Sequence, residues 1–307
     1  MKTKIIYLFL FVWSFTNAQN NIVSEEILIT NDSIQLPGTL TYSNDKSPLI
    51  IWVHGSGNVD RNGNQAGANI KANYIKQFRD KINKENIAFF SFDKRTATKR
   101  NFIFSKNIKL NAFVTDLNSV INHFKNDTRF TEIILSGHSQ GSLIAMIASK
   151  NIDRYISIAG PAISIDKTII QQITAQSPEF GKAAEAHFKE VFETGDIKEV
   201  HPLLASVFAK QNLPFLVSWA KYNPSKEIKK LTIPVLIING TKDLQVKIED
   251  ANALHNANPS SELVIIENMN HVLKIIEKEV NNIKSYYSPD FAISKKLITT
   301  IVAFIKK

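Results

Sequence analysis

A serine lies between two glycines in residues 137–141, which read Gly-His-Ser-Gln-Gly. Apolar runs precede and follow this segment, so Ser139 stands where a buried strand is predicted to end and a helix to begin. A G-x-S-x-G sequence in that position is typical of a nucleophile elbow, a sharp turn that lifts the serine hydroxyl above a sheet. Gly137 and Gly141 suit such a turn because side chains there would collide. The pattern predicts a nucleophilic Ser139, against the simpler interpretation of a structural turn.

A serine hydroxyl becomes a useful nucleophile when a base accepts its proton. Of the seven histidines, His271 lies in a loop just past the apolar run "LVIIEN", at the strand end where α/β folds present functional groups. His138 is adjacent to the serine, but neighbouring side chains of an elbow point apart, which favours a packing role. The remaining histidines fall in predicted helices or in another loop. We therefore predict that His271 is the base.

An acidic partner should hold the histidine in the correct tautomer. Asp243 follows the apolar run "VLIING" and precedes His271 by 28 residues, which gives the known chain order serine, acid, histidine. A turn aspartate or a helix N-cap is the alternative interpretation of Asp243. Glu267 and Asp250 are competing acids, but the first lies at a strand end and the second on a predicted helix.

A glycine-rich loop follows the apolar run that ends at His54, in the sequence "WVHGSGNVDRNGN". Acyl transfer needs two N–H donors directed at the oxygen that develops negative charge. The residue after the serine, Gln140, supplies one such donor in an elbow, and Ser56 in the glycine-rich loop is predicted to supply the other.

Strands and helices alternate along the chain, which predicts an α/β protein with a mostly parallel, doubly wound sheet flanked by helices. The first two strands are separated by a turn and predict a hairpin. The strand-like runs are 25–30, 33–42, 49–55, 87–93, 132–139, 155–160, 235–240 and 263–268. The helical segments outside the insertion described next are 70–85, 112–125, 140–150, 247–257 and 292–306.

Residues 163–228 interrupt this alternation with three helix-like segments, 165–176, 182–195 and 201–222. We predict that they form a helical lid over Ser139, whose aromatic residues between 208 and 219 line an acyl pocket. The predicted core then consists of residues 19–162 and 229–307.

The N-terminal 18 residues combine positive charge, an apolar run and a small-residue site at Ala18. This pattern predicts a secretory signal peptide cleaved after Ala18, and hence a periplasmic or secreted protein. A membrane anchor is the alternative, but a span needs about 20 apolar residues. No other run is long enough to span a membrane.

Composition excludes several functional classes. The chain has no cysteine, which excludes disulfides, thiolate metal sites and a cysteine nucleophile. The formal charge is +9, or +7 once Lys2 and Lys4 are removed with the signal peptide. No basic run is dense enough to indicate nucleic-acid binding.

Six stretches carry a resemblance to a known family: "HGSGNVDRNGN", "FDKR", "GHSQG", "IAGPA", "GTKDLQV" and "MNHVLK". From about residue 35 onward the chain resembles the α/β-hydrolases, and more narrowly the exported bacterial serine esterases of the serine-aminopeptidase-like group. The resemblance implies hydrolysis of small, short-chain carboxylic esters without metal or organic cofactor. It departs from the family pattern at "DKRTATK", where "DKRG" is common, and at Ser142, where a glycine is common.

Alternatives remain open. The same fold carries aminopeptidases and thioester hydrolases, and also binding proteins without catalysis. Charged residues near the predicted site are interpreted as an ion-pair cluster that braces its loops, with substrate binding as the alternative. These residues are Asp60, Arg61, Asp93, Lys94 and Arg95.

Overall fold

The computed structural model describes residues 21–43 and 45–307. The predicted signal peptide, residues 1–18, lies outside this part of the chain. Within the described residues, no helix is long and apolar enough to cross a bilayer.

Eight strands form one sheet in the order β1-β2-β4-β3-β5-β6-β7-β8 in the described part of the chain. β1 and β2 form the predicted hairpin, β2 pairs antiparallel with β4, and the other pairings are parallel. All eight predicted strands are therefore present, and the predicted fold class is confirmed. The strands are β1 Val23–Asn31, β2 Ile34–Tyr42, β3 Ser47–Val53, β4 Ala88–Phe92, β5 Phe130–His138, β6 Arg154–Ile158, β7 Val235–Gly240 and β8 Glu262–Ile266.

The central strands are apolar on both faces because helices cover both faces of the sheet. Every residue of β4 and β7 is buried. Alternate residues of β3 enter different cores, since Ile51 belongs to one apolar cluster and Trp52 to the other. β1, at the edge, alternates between exposed and partly buried residues.

The helices divide between the two faces. α2, α3 and α9 contribute to the cluster around Ile51, whereas α1 and α11 contribute to the cluster around Trp52. The helices are α1 Tyr74–Ile82, α2 Leu110–Phe124, α3 Gln140–Ile147, α4 Ile165–Gln176, α5 Pro178–Thr194, α6 Ala205–Phe208, α7 Leu213–Ala220, α8 Pro224–Ile228, α9 Ile248–Ala257, α10 Val280–Ser285 and α11 Lys295–Ile305.

Two helix predictions need correction. The segment 201–222 is not one helix: α6 and α7 are separated by a short 3-10 turn, and Pro214 lies in the first turn of α7, where its missing N–H does not matter. α1 begins at Tyr74, later than the predicted residue 70, because Asn73 has a left-handed backbone with φ of 49°. Neither α10 nor the 3-10 helix Lys99–Phe104 was predicted.

α4–α8 lie between β6 and β7, where the helical insertion was predicted. Buried residues of α5 to α7, among them Phe188 and Phe208, form an apolar cluster separate from the two clusters that cover the sheet. α7 also reaches the main core, where Phe215 packs edge-on against Phe113 with ring centroids 5.7 Å apart. The insertion is therefore fixed to the sheet layer through α7.

Candidate active site

Ser139 lies at the junction of β5 and α3 with φ of 53° and ψ of −122°. A non-glycine residue with positive φ is strained, and such strain persists only when the surroundings hold it. Here the Ser139 N–H donates to the Ile158 carbonyl at 2.9 Å, and the Ser139 carbonyl accepts from Ser142 N–H at 3.0 Å. These bonds fix the turn between strand and helix.

The two glycines of the elbow permit close backbone packing. A Cβ atom at Gly137 would lie 2.6 Å from the Gly141 carbonyl oxygen, across the turn. A Cβ at Gly141 would overlap the Val53 carbonyl oxygen at the end of β3. A larger residue at Gly137 would therefore force β5 away from the start of α3, and one at Gly141 would force the elbow away from β3.

His271 and Asp243 form a buried pair. The His271 Nδ1–H donates to Asp243 Oδ2 at 2.8 Å, which leaves Nε2 as the acceptor nitrogen. Asp243 Oδ1 accepts from the N–H groups of Gln245 at 2.8 Å and Val246 at 2.9 Å. Burial alone would raise the pKa of the Asp243 carboxyl, but the His271 charge and these hydrogen bonds outweigh burial and lower that pKa. Asp243 therefore stays ionised and holds the imidazole in one tautomer.

Two cavities meet at these residues. Ser139 and His271 both line a cavity of about 230 Å³, which also contains Ser56. Ser56 and Gln140 line a second cavity of about 750 Å³, whose other wall includes α7. The structure therefore places Ser139, His271, Ser56 and Gln140 around these two cavities at the carboxyl edge of the parallel strands. The fifth predicted residue, Asp243, joins them through its hydrogen bond to His271.

His138 supports the His271 loop by a contact that the sequence did not reveal. Its Nε2–H donates to the His271 carbonyl at 2.8 Å, and its ring stacks on Trp52 with centroids 5.8 Å apart. The Tyr74 hydroxyl lies 3.4 Å from Nδ1. Burial, followed by the charge of His271, lowers the pKa of His138 to about 3. A neutral His138 therefore ties the elbow to the His271 loop.

The glycine-rich loop is held by charged residues. Arg61 donates two hydrogen bonds of 3.0 Å to the Asp93 carboxylate, as the predicted ion-pair cluster requires. Asp60 instead accepts N–H groups of its own loop, from Asn62 and Asn64, at 2.8 Å each. The loop after β3 is thus attached to the end of β4.

Two members of the predicted cluster behave differently. Arg95 pairs with Asp116 of α2, at 2.6 Å and 2.7 Å, and so lies outside the cluster. For Lys94 the ion-pair prediction is wrong. Its side chain is buried, and its Nζ donates to the Gly55 carbonyl at 2.8 Å and to Gln140 Oε1 at 3.1 Å. Burial without a carboxylate partner lowers the pKa of Lys94 to about 7.

A second buried lysine braces the loop that follows β8. Lys274 is fully buried, and its Nζ donates to the carbonyl oxygens of Ala72 and Ser285 at 3.1 Å each and to that of Ser288. Leu273, beside it, has a strained φ of 68°. Sequence reasoning missed this role; the only local signal is a single lysine in the apolar stretch "HVLKII".

The parallel sheet, the serine elbow and the functional loops at the strand ends define an α/β-hydrolase. The BD-FAE family model matches residues 34–257, and the chain belongs to this family. No curated protein matches the sequence.

Solved structures share the fold at low sequence identity. Est1E from Butyrivibrio proteoclasticus is 18% identical, with a TM-score of 0.56 over 92% of this chain and 99% of that one. The Pyrococcus furiosus esterase Pf2001 is 18% identical, with a TM-score of 0.58 over 99% and 98%. The Pyrococcus horikoshii acylaminoacyl peptidase is 12% identical, with a TM-score of 0.57 over 94% of this chain and 42% of that one.

The pKa of His138 predicts a pH dependence of stability. Because unfolding returns this histidine to its ordinary pKa near 6.5, the unfolded chain binds the proton first, and stability present above pH 6.5 is lost as the pH falls towards 3. From pH 7.5 to pH 5 this single group should lower the free energy of unfolding by about 2 kcal/mol.

Urea unfolding at both pH values measures this loss. His138→Gln keeps an N–H donor but does not titrate, so its free energy of unfolding should fall by about 2 kcal/mol less between pH 7.5 and pH 5 than that of the wild type. The same substitution at exposed His123 is the matched control, and its free energy of unfolding should fall as much as that of the wild type. An equal loss in the wild type and in His138→Gln would contradict a neutral, buried His138.

Proposed function

We propose that the protein is a serine hydrolase that cleaves carboxylic esters. The observation that carries this proposal is the hydrogen-bonded His271–Asp243 pair, whose histidine lines the same cavity as the strained Ser139. A serine on an elbow, a histidine with one free ring nitrogen and a buried carboxylate are the parts that acyl transfer requires.

In the proposed mechanism, His271 Nε2 accepts the proton as Ser139 Oγ attacks the ester carbonyl carbon. The tetrahedral intermediate then expels the alcohol, which takes this proton from His271 and leaves an acyl group on Ser139. A water molecule gives its proton to His271 and attacks the acyl carbon, and the carboxylic acid leaves as Ser139 regains a proton. Asp243 stabilises the imidazolium in both steps and stays ionised.

We assign the oxyanion hole to the N–H groups of Ser56 and Gln140. Lys94 supports this assignment, because it holds the carbonyl of Gly55 and the side chain of Gln140. The Gly55–Ser56 peptide is trans, so its N–H points away from the carbonyl that Lys94 binds. Lys94 is thus a positioning residue that orients the Ser56 donor, and its charge polarises the same peptide.

The larger cavity is proposed to be the acyl pocket, and residues 163–228 to be a lid. Phe215, Leu216 and Trp219 of α7 line this cavity, whereas Phe208 is buried within the insertion itself. The apolar part of this cavity wall suits the hydrocarbon part of an ester. A volume of about 750 Å³ accommodates acyl groups longer than acetyl.

Charge favours an ester over a peptide with a free amino terminus. Among the described residues that line the two cavities, none is aspartate or glutamate, and Lys94 is the one lysine. A substrate ammonium group would therefore find no carboxylate partner there. An ester is therefore favoured over the aminopeptidase alternative, although the acylaminoacyl peptidase shares the fold.

Two further proposals concern location and substrate. Residues 1–18 are proposed to direct export, with cleavage after Ala18, because of their charged and apolar pattern. Est1E was solved with ferulic acid bound, so aromatic esters belong in the substrate panel beside alkyl esters.

Removing the nucleophile tests the proposal. Ser139→Ala should lower kcat for a nitrophenyl ester on the order of a million-fold, because the covalent step is lost. Ser142→Ala, one turn later in α3, is the matched control and should keep activity within about tenfold. The measurement is steady-state hydrolysis beside a melting curve. Wild-type activity in folded Ser139→Ala would contradict the assignment.

Lys94 should affect turnover more than substrate binding. Lys94→Met keeps the side-chain length but removes the hydrogen bond to the Gly55 carbonyl. Because an oxyanion donor acts in the transition state, kcat should fall about tenfold or more while KM changes little. Wild-type kcat should also decline as the pH rises through about 7 and Lys94 loses its charge, and Lys94→Met should lack this decline.

Lys109→Met is the control, because Lys109 is exposed. The measurement is the pH profile of kcat and of kcat/KM for the wild type, Lys94→Met and Lys109→Met. An unchanged kcat, or a fall that only follows the melting temperature, would contradict the positioning role.

Aromatic residues of α7 should set the acyl preference. Phe215→Ala and Trp219→Ala each remove an aromatic ring from the cavity wall and so enlarge the cavity. They should therefore shift the optimum of kcat/KM in an acetyl-to-octanoyl ester series towards longer chains. Phe192→Ala, on an exposed residue of the same insertion, is the control and should keep the parent profile. The lid proposal would be wrong if all three variants kept the parent profile.

A further inference from the structure

Eleven large apolar residues are exposed in the described part of the chain. Ile22 and Leu28 lie on or directly before β1, and the other nine lie on segments that follow β4, β6, β7 or β8. Two of these nine, Phe102 and Tyr287, line the cavities of the candidate site. The nine are Phe102, Ile103, Phe104, Phe192, Leu203, Leu244, Val280, Ile283 and Tyr287.

One group of these residues is surrounded by positive charge. Residues 102–104 are consecutive and exposed, and Ile103 is 78% exposed. Exposed basic residues flank them on both sides, and residues 94–115 contain no aspartate or glutamate. The flanking residues Lys99, Arg100, Lys106 and Lys109 form no salt bridge with any described residue. We call residues 99–109 the basic apolar loop.

A second exposed apolar group lies beside the smaller cavity. Val280, Ile283 and Tyr287 are exposed at spacings of three and four residues, so they share one side of α10 and the turn after it. Tyr287 lines the cavity that contains His271, and Phe102 lines the larger cavity. Both cavities include Ser56. Each of the two cavities at the candidate active site therefore has a residue of an exposed apolar group in its wall, and the group at the larger cavity is basic.

We propose that the basic apolar loop docks the cleft onto the surface of an anionic lipid bilayer. Exposed Phe and Ile side chains insert between lipid headgroups, while flanking Lys and Arg side chains pair with the anionic phosphates. The charge argues against a second copy of the chain as the occupant, because a two-fold contact through this loop would bring its unpaired cations against their own copies. This inference goes beyond ester hydrolysis and is tested by binding alone.

Co-sedimentation of the full chain with phosphatidylcholine vesicles, with and without phosphatidylglycerol, tests the proposal. The wild type should bind the anionic vesicles, should bind the neutral ones at least about a hundredfold more weakly, and should be released by high salt. Ile103→Ser/Phe104→Ser should weaken binding to anionic vesicles on the order of a hundredfold, because two inserted apolar side chains are lost. Lys99→Gln/Arg100→Gln should weaken it on the order of tenfold and reduce the salt dependence.

The controls separate docking from catalysis. None of the four substituted residues lines either cavity of the candidate site, so both double variants should hydrolyse a soluble short-chain ester at the wild-type rate if the proposed function is correct. Leu28→Ser, at an exposed apolar position on β1, should leave vesicle binding unchanged. Equal binding of the wild type to neutral and anionic vesicles, or a Leu28→Ser loss as large as that of the loop variant, would overturn the proposal. So would a dimer in solution that the Ile103→Ser/Phe104→Ser change dissociates.

Discussion

The backbone of Ser139 is held in a conformation that costs on the order of 1–3 kcal/mol, and the rest of the site is arranged around that turn. The turn can exist only because Gly141 packs directly on the end of β3 and because β6 accepts the Ser139 N–H through Ile158. Three parallel strands therefore fix the position of one side chain. The loops after β3, β7 and β8 then need to reach only a short distance to bring Ser56, Asp243 and His271 beside it.

Buried polar groups set the geometry of those loops. Lys94 and Lys274 have no carboxylate partner among the described residues and donate their hydrogen bonds mainly to backbone carbonyls. Burial lowers the pKa of Lys94 to about 7 and that of Lys274 to about 8, so each cation costs stability in the folded protein. In return, each lysine fixes a loop whose backbone the proposed chemistry needs in one conformation. Neutral His138 completes the arrangement by joining the elbow to the His271 loop.

Local signals predicted much of the fold, and long-range contacts account for what they missed. Burial on both faces leaves a continuous apolar pattern, which predicted the parallel strands, whereas β1 and β2 were predicted as a hairpin from the turn between two strand-like runs. The elbow and the loop positions of Asp243 and His271 were predicted because these residues directly follow strands. The contact between His138 and the His271 carbonyl joins residues 133 positions apart and leaves no local pattern. Lys94 was misassigned to an ion-pair cluster because a lysine beside Asp93 and Arg95 suggests charge pairing, whereas its actual partners are a carbonyl and an amide.

In the proposed reaction, Ser139 forms a covalent adduct whose oxygen is held by the N–H groups of Ser56 and Gln140. A crystal structure of the protein inactivated by an alkyl phosphonate, which mimics the tetrahedral intermediate, tests this arrangement. We expect phosphorus bonded to Ser139 Oγ, with one phosphonyl oxygen within about 3 Å of both N–H groups. We further expect the alkyl chain to lie against Phe215 and Trp219. A phosphonate bonded to another residue, or a phosphonyl oxygen directed away from Ser56 and Gln140, would contradict this arrangement.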